Sequence, residues 1–167
     1  MSDSSGPTAA RGEHRDIGKL LALIEELTGQ VSRVESPSEL FARCFRALFQ
    51  CLPFDVAAGV MIEQNLDLYL ATREGAEGLV SDRLVAKIRE TLQKLIPVSF
   101  ATTEVVVISE TNDLPRHAVA GDAVEHETYA IFRLDGRTAG ILLLYRGGEP
   151  FVEMHRQILE IFSAQVS

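Results

Sequence analysis

The stretch from Phe132 to Arg146 constrains the fold of this chain more than any other. An apolar segment runs up to Asp135-Gly136, a dipeptide that suits the positive φ angles of a tight turn. A second apolar segment follows at once and contains Gly140. Beyond it, apolar residues recur at the spacing of a helix that buries one face, and they are Ile158, Leu159, Phe162 and Val166. The C-terminal third is therefore predicted to be a β-hairpin followed by a helix.

The upstream sequence carries equally clear signals for further helices and strands. Ser36-Pro37-Ser38-Glu39 combines an N-cap residue, a first-turn proline and an acid at N3, which is typical of a helix start. Pro53 is expected to end that helix. The predicted elements that follow are strands 54–62 and 66–72, a helix over 79–96, strand 105–108, hairpin strands 126–134 and 137–145, and a final helix over 151–167. Strands joined by short turns favour an antiparallel sheet, so the predicted class is α+β.

The order of strand, glycine turn, strand, Pro-Phe and closing helix resembles the C-terminal half of a GAF domain, and the resemblance covers about residues 20–167. It implies a central antiparallel sheet of five to six strands. The N- and C-terminal helices would lie on one face, and the middle helix and a long connector on the other. Residues 1–15 are predicted to be a disordered tail. Residues 16–167 are predicted to be a single GAF-like domain, the N-terminal sensor of a longer chain.

Composition excludes several other classes of protein. The net charge of -8 argues against nucleic-acid binding, which needs a basic surface. No apolar run approaches the roughly 20 residues that span a bilayer, so no membrane association is predicted and a cytoplasmic location is expected. Cys44 and Cys51 lie seven residues apart on a predicted helix, too far along its axis for a disulfide. They are interpreted as packing residues rather than a redox pair.

A group of acids and histidines gathers before and within strand 126–134, and its chemistry suits a divalent metal ion: His117, Asp122, Glu125, His126 and Glu127. Successive strand residues point to opposite faces, so Glu125 and Glu127 share a side that His126 does not. A solvated strand end is the preferred interpretation, and no metal ligands are predicted.

Residues 17–34 show apolar positions at alternating steps of three and four, the pattern of a coiled-coil seam. The seam consists of Ile17, Leu20, Ile24, Leu27, Val31 and Val34. Two interpretations stay open: a helix that pairs with a second copy of the chain, or a helix that lies on the domain's own sheet.

The GAF resemblance also implies a small-molecule pocket between the sheet and the cap formed by the middle helix and the connector. The residues that it places there are Phe100, Thr102, Asn112, Arg116, His117, Thr128, Ala130 and Phe132. A filled core without any ligand is the alternative. The Asn-Lys pair of the cyclic-nucleotide-binding subset is absent, and the cysteines do not match the phytochrome pattern. The ligand or cofactor is therefore left unidentified.

From the resemblance we expect a non-catalytic regulatory domain of bacterial signal transduction. It would form a homodimer through its terminal helices, bind a small ligand and control an attached output domain. A diguanylate cyclase is the favoured output and a histidine kinase the next. The alternatives are a ligand-free dimerisation module and, with less support, a small GAF-fold redox enzyme.

Overall fold

The computed structural model describes residues 18–19, 21–22, 25–26, 36–62, 66–73, 81–99, 104–108, 124–134 and 136–166. Its elements are helix α1 (Pro37–Cys51), strands β1 (Val56–Met61) and β2 (Leu68–Thr72), helix α2 (Asp82–Leu95), strands β3 (Val105–Val107), β4 (His126–Leu134) and β5 (Arg137–Arg146), and helix α3 (Glu153–Val166). The described residues between 18 and 26 are helical and exposed. The predicted coiled-coil seam lies outside the described residues.

The five strands form one open sheet in the order β3-β2-β1-β5-β4. The β1–β2, β1–β5 and β4–β5 pairs are antiparallel, whereas β2 and β3 run parallel. The α+β class is thus confirmed, but the prediction of a wholly antiparallel sheet is wrong at one pair. The reason is that α2 lies between β2 and β3 in the chain, and a crossover of this length returns the chain in the same direction.

The helix cap and the hairpin turn predicted from the sequence are both present in the structure. The Ser36 Oγ accepts a hydrogen bond from the Glu39 N–H at 3.3 Å, which caps α1. Gly136 has a φ of 77°, a turn conformation that favours glycine. At Gly140 a Cβ atom would lie 2.7 Å from the Val60 carbonyl oxygen, so only glycine lets β1 and β5 approach as they do.

The sheet buries a different core on each face. On one face α1 and α3 cover a cluster rich in aromatic residues, including Phe41, Phe45 and Phe162. On the other face α2 covers an aliphatic cluster that includes Leu70, Ile88 and Leu143. Alternate residues of each strand serve the two clusters, which explains why β1 and β2 read as continuous apolar runs.

Candidate functional site

Four polar side chains meet at the edge of the aliphatic core, between α2 and the β4–β5 hairpin. Lys87 and Thr91 are one helical turn apart on α2, so they project from the same side of the helix. Glu127 and Tyr145 are direct partners in the β4–β5 register and therefore share a sheet face. We call Lys87, Thr91, Glu127 and Tyr145 the Tyr145 cluster.

Tyr145 is the unusual member, because its side chain is 0% exposed and its hydroxyl has no hydrogen-bond partner in the described structure. A buried polar group without a partner costs about 1–3 kcal/mol of folding free energy. Burial raises the pKa of Tyr145 to about 12, and the Glu127 carboxylate adds to this rise. The Thr91 hydroxyl partly offsets the rise, because it lies close to the phenol although outside hydrogen-bonding geometry. The hydroxyl is therefore protonated at neutral pH, where it is able to donate one hydrogen bond and to accept others.

The Lys87 ammonium connects α2 to the chain that enters β4. Its Nζ donates a hydrogen bond to the Val124 carbonyl oxygen at 3.1 Å. The same Nζ lies 5.6 Å from the centroid of the Tyr145 ring, within the range of a cation–π contact. Lys87 thus places a positive charge over the face of the buried phenol.

The Thr91 hydroxyl and the Glu127 carboxylate are the other two members of the cluster, and they link α2 to β4. Thr91 Oγ1 donates to Glu127 Oε2 at 3.3 Å. Glu127 is exposed, whereas Thr91 and Lys87 are half-buried, so the cluster runs from a solvated rim to a closed interior. This arrangement presents hydrogen-bond donors, acceptors and both signs of charge within one small region, which suits the binding of a polar small molecule.

A second polar network lies at the same end of the sheet but on the face covered by α1. Arg73 is 3% exposed and donates from Nε to the Phe54 carbonyl at 2.8 Å and from Nη2 to the Leu52 carbonyl at 3.2 Å. Burial lowers the pKa of Arg73, and the Asp55 carboxylate opposes that effect. All of these contacts are satisfied within the domain, so we interpret this network as structural.

Three of the predicted pocket residues can be located in the structure. Thr128, Ala130 and Phe132 are all buried on one side of β4. Ala130 and Phe132 belong to the aromatic cluster under α1 and α3. The predicted pocket lay instead between the sheet and the middle helix. On that side β4 presents Ile131, which packs against the aliphatic core, and Glu127.

The remaining predicted pocket residues lie outside the described residues: Phe100, Thr102, Asn112, Arg116 and His117. For these five residues the pocket stays a prediction. The described residues bring together side chains of α2, β4 and β5 that were not predicted to line a pocket.

The sequence contains part of the information that is needed to predict the Tyr145 cluster. Tyr145 ends the run Ile-Leu-Leu-Leu-Tyr, where it is the one side chain with a hydroxyl. Uninterrupted pairing from Asp135-Gly136 would place Glu127 opposite Leu144, and a one-residue register shift between Phe132 and Arg133 moves it opposite Tyr145. On α2, i,i+4 spacing places Lys87 beside Thr91. The contact between these two pairs depends on how α2 crosses the sheet, which local sequence patterns do not determine.

The described residues offer little support for metal or thiol chemistry. No group of three or more His, Cys, Asp or Glu side chains among them is arranged to hold a metal ion. His126 Nε2 instead lies 3.1 Å from the Gly148 carbonyl oxygen. Cys44 and Cys51 are both free, and burial raises the pKa of Cys44 to about 12 and also raises that of Cys51. Such thiols are poor nucleophiles at neutral pH.

None of the helices in the described part of the chain is long and apolar enough to cross a membrane. No family model matches the chain, and no curated protein or solved structure is significantly similar to it.

Proposed function

We propose that the chain is a cytoplasmic, non-catalytic sensory domain of the GAF type in bacterial signal transduction. It binds a small polar ligand at the Tyr145 cluster and controls an attached output domain, with a diguanylate cyclase favoured and a histidine kinase next. The resemblance of the hairpin and closing helix to GAF domains motivates the family assignment.

The observation that carries the proposal is the hydroxyl of Tyr145, which is closed to solvent and without a partner in the described structure. Buried polar groups are nearly always hydrogen-bonded, and the exceptions call for an explanation. A ligand atom that completes this hydrogen bond is such an explanation. The cluster lies between the middle helix and the hairpin, which is where the GAF resemblance implies a pocket.

The contacts around Tyr145 also support a route from the ligand to α3. The Tyr145 carbonyl accepts a hydrogen bond from the Asp55 N–H at 2.8 Å. The Asp55 carboxylate in turn accepts from the Gly147 N–H at 2.8 Å, in the segment that leads into α3. Because the hydroxyl is closed to solvent, a ligand reaches it only through a local rearrangement. Binding would therefore shift the population toward a second arrangement of this segment and of α3.

The second candidate is a dimerisation module without a ligand, and the surface of α3 favours it. Met154 and Ile161 are 48% and 44% exposed and lie seven residues apart, with the partly buried Ile158 between them on the same side. Such a stripe suits a homodimer that forms through the terminal helices, which is also the assembly we propose for the sensory domain.

A thermal-shift screen with a broad panel of metabolites and nucleotides tests the ligand-binding function. We expect at least one compound to raise the melting temperature of the unmodified chain and to leave that of Tyr145→Phe unchanged. Tyr129→Phe is the matched control, because Tyr129 lies on the same strand pair and is 47% exposed. If no compound shifts the unmodified chain, the dimerisation module replaces the sensory domain.

A further inference from the structure

Two opposite charges flank the buried phenol of Tyr145, and neither forms a salt bridge among the described residues. The exposed Lys94 ammonium interacts with Glu127 electrostatically but does not contact it. Lys87 contacts a backbone carbonyl and an aromatic ring, and Glu127 contacts a hydroxyl. We propose that the Tyr145 cluster binds a zwitterion of the α-amino-acid class, an inference that rests on the ligand-binding function proposed for the same site.

The Lys87 side of the cluster suits a carboxylate. A lysine ammonium has three N–H donors, and the Val124 carbonyl uses one of them. The Tyr145 hydroxyl is a further donor without an acceptor. A ligand carboxylate has two oxygens, so one accepts from Lys87 while the other accepts from Tyr145. This pairing satisfies the buried hydroxyl and adds a charge-assisted hydrogen bond.

The Glu127 side suits an ammonium group. Glu127 Oε2 accepts from Thr91, and Oε1 has no described partner. An ionised carboxylate is only an acceptor, so the complementary ligand group must donate, and an ammonium also neutralises the charge. Because Glu127 stands directly opposite Tyr145 in the register, this group lies beside the proposed carboxylate position.

Ligands with a net charge fit the site less well. The net charge of -8 on the chain opposes the approach of an anion. An anion would also leave Glu127 facing a like charge, and a cation would do the same at Lys87. A zwitterion meets both residues with the opposite sign and brings no net charge into a half-buried site.

Isothermal titration calorimetry of the whole chain tests this ligand class. The probes are the proteinogenic L-amino acids, each matched by its deaminated acid and its decarboxylated amine; L-alanine, for example, is compared with propionate and ethylamine. We expect at least one amino acid to bind, and removal of either charged group to weaken binding by about ten-fold or more.

Charge-removing variants locate the binding on the two residues. Lys87→Met and Glu127→Gln should each weaken amino-acid binding by about ten-fold or more. Arg156→Met and Glu153→Gln are matched controls and should bind normally, because that exposed pair lies on α3, which covers the other face of the sheet. Unchanged binding in Lys87→Met and Glu127→Gln would overturn the proposal.

The outcomes also separate this inference from the function on which it rests. Binding of singly charged or neutral compounds that depends on Tyr145 would overturn the zwitterion class and leave the sensory function standing. Absence of binding by these probes and by the wider metabolite panel would overturn both.

Discussion

Arg73 and Tyr145 are both polar side chains buried at the same end of the sheet. They lie on opposite faces and differ in whether their polar atoms have hydrogen-bond partners. The Arg73 guanidinium has two carbonyl partners and lies over the rings of Phe49 and Phe54, at 5.4 and 6.0 Å from their centroids. The Tyr145 hydroxyl has no partner among the described residues. Among the described residues, no buried side-chain polar atom under α1 and α3 lacks a hydrogen-bond partner, whereas the Tyr145 hydroxyl on the α2 face does.

This difference separates the structural side of the domain from its proposed binding side. A buried charge is retained when its surroundings supply partners, as they do for Arg73. A buried hydroxyl without partners reduces stability unless something outside the protein completes its hydrogen bonds. We therefore expect substitutions on the α1 face to act on stability and substitutions at Tyr145 to act on binding.

The largest effect is expected from Phe41→Ala on the α1 face. Phe41 is fully buried and stacks on Phe45 and Tyr69, with ring centroids 5.5 and 5.1 Å apart. Its loss should reduce the free energy of unfolding by about 3–5 kcal/mol, as measured by urea denaturation. Val152→Ala, at an exposed position, should change it by less than about 0.5 kcal/mol. A cost below about 1 kcal/mol for Phe41→Ala would contradict the account of a tightly packed α1 face.

Removing the Arg73 charge should cause the next largest loss in the free energy of unfolding. Arg73→Met leaves the carbonyls of Leu52 and Phe54 without their donor, so we expect a loss of about 3 kcal/mol in urea denaturation. Arg73→Lys should recover part of that loss, since an ammonium can still donate to one carbonyl. Ligand binding measured where both variants are folded should be unchanged. A ligand-binding defect in Arg73→Lys would place this network in the site and remove the division between the two faces.

Raising the pH into the alkaline range should lower the free energy of unfolding, because the Tyr145 phenol is harder to ionise in the folded protein than in the unfolded chain. The pKa of Tyr145 is raised from 10.0 to about 12 in the folded protein. The unfolded chain therefore releases this proton first, and the contribution of Tyr145 to stability is complete below pH 10 and is lost between pH 10 and about 12. Denaturation curves across that range should fall less steeply for Tyr145→Phe than for the unmodified chain. Parallel curves would mean that the phenol titrates normally in the folded state.

The smallest effect on stability is expected from Tyr145→Phe at neutral pH, and its sign is the informative part. Because the substitution removes an unpartnered buried hydroxyl and keeps the ring, the ligand-free variant should be as stable as the unmodified chain or more stable by about 1 kcal/mol. Thermal and urea denaturation both measure this change. A loss of more than about 1 kcal/mol would show that the hydroxyl has a partner within the protein.

The sequence predicted the local elements well and the contacts between them less well. The cap at Ser36 and the turn at Gly136 depend on neighbouring residues, and the structure contains both predicted features. The close approach of Gly140 to the distant Val60 carbonyl was not predicted. The parallel β2–β3 pair was missed because the path of a crossover depends on packing rather than on turn residues. The Tyr145 cluster was missed for a similar reason, since Thr91 and Glu127 are far apart in sequence and meet only through tertiary packing.

The central claim is that the ligand contacts Tyr145 on the α2 face, and NMR of the chain isotope-labelled at the tyrosine Cζ carbon tests it most directly. The sequence has three tyrosines, so the spectrum has three signals to assign by Tyr→Phe substitution. Tyr69 belongs to the aromatic core under α1 and serves as the internal reference. We expect a binding amino acid to move the Tyr145 signal and to leave the Tyr69 signal in place. A ligand that moves the Tyr69 signal while the Tyr145 signal stays unchanged would contradict the account.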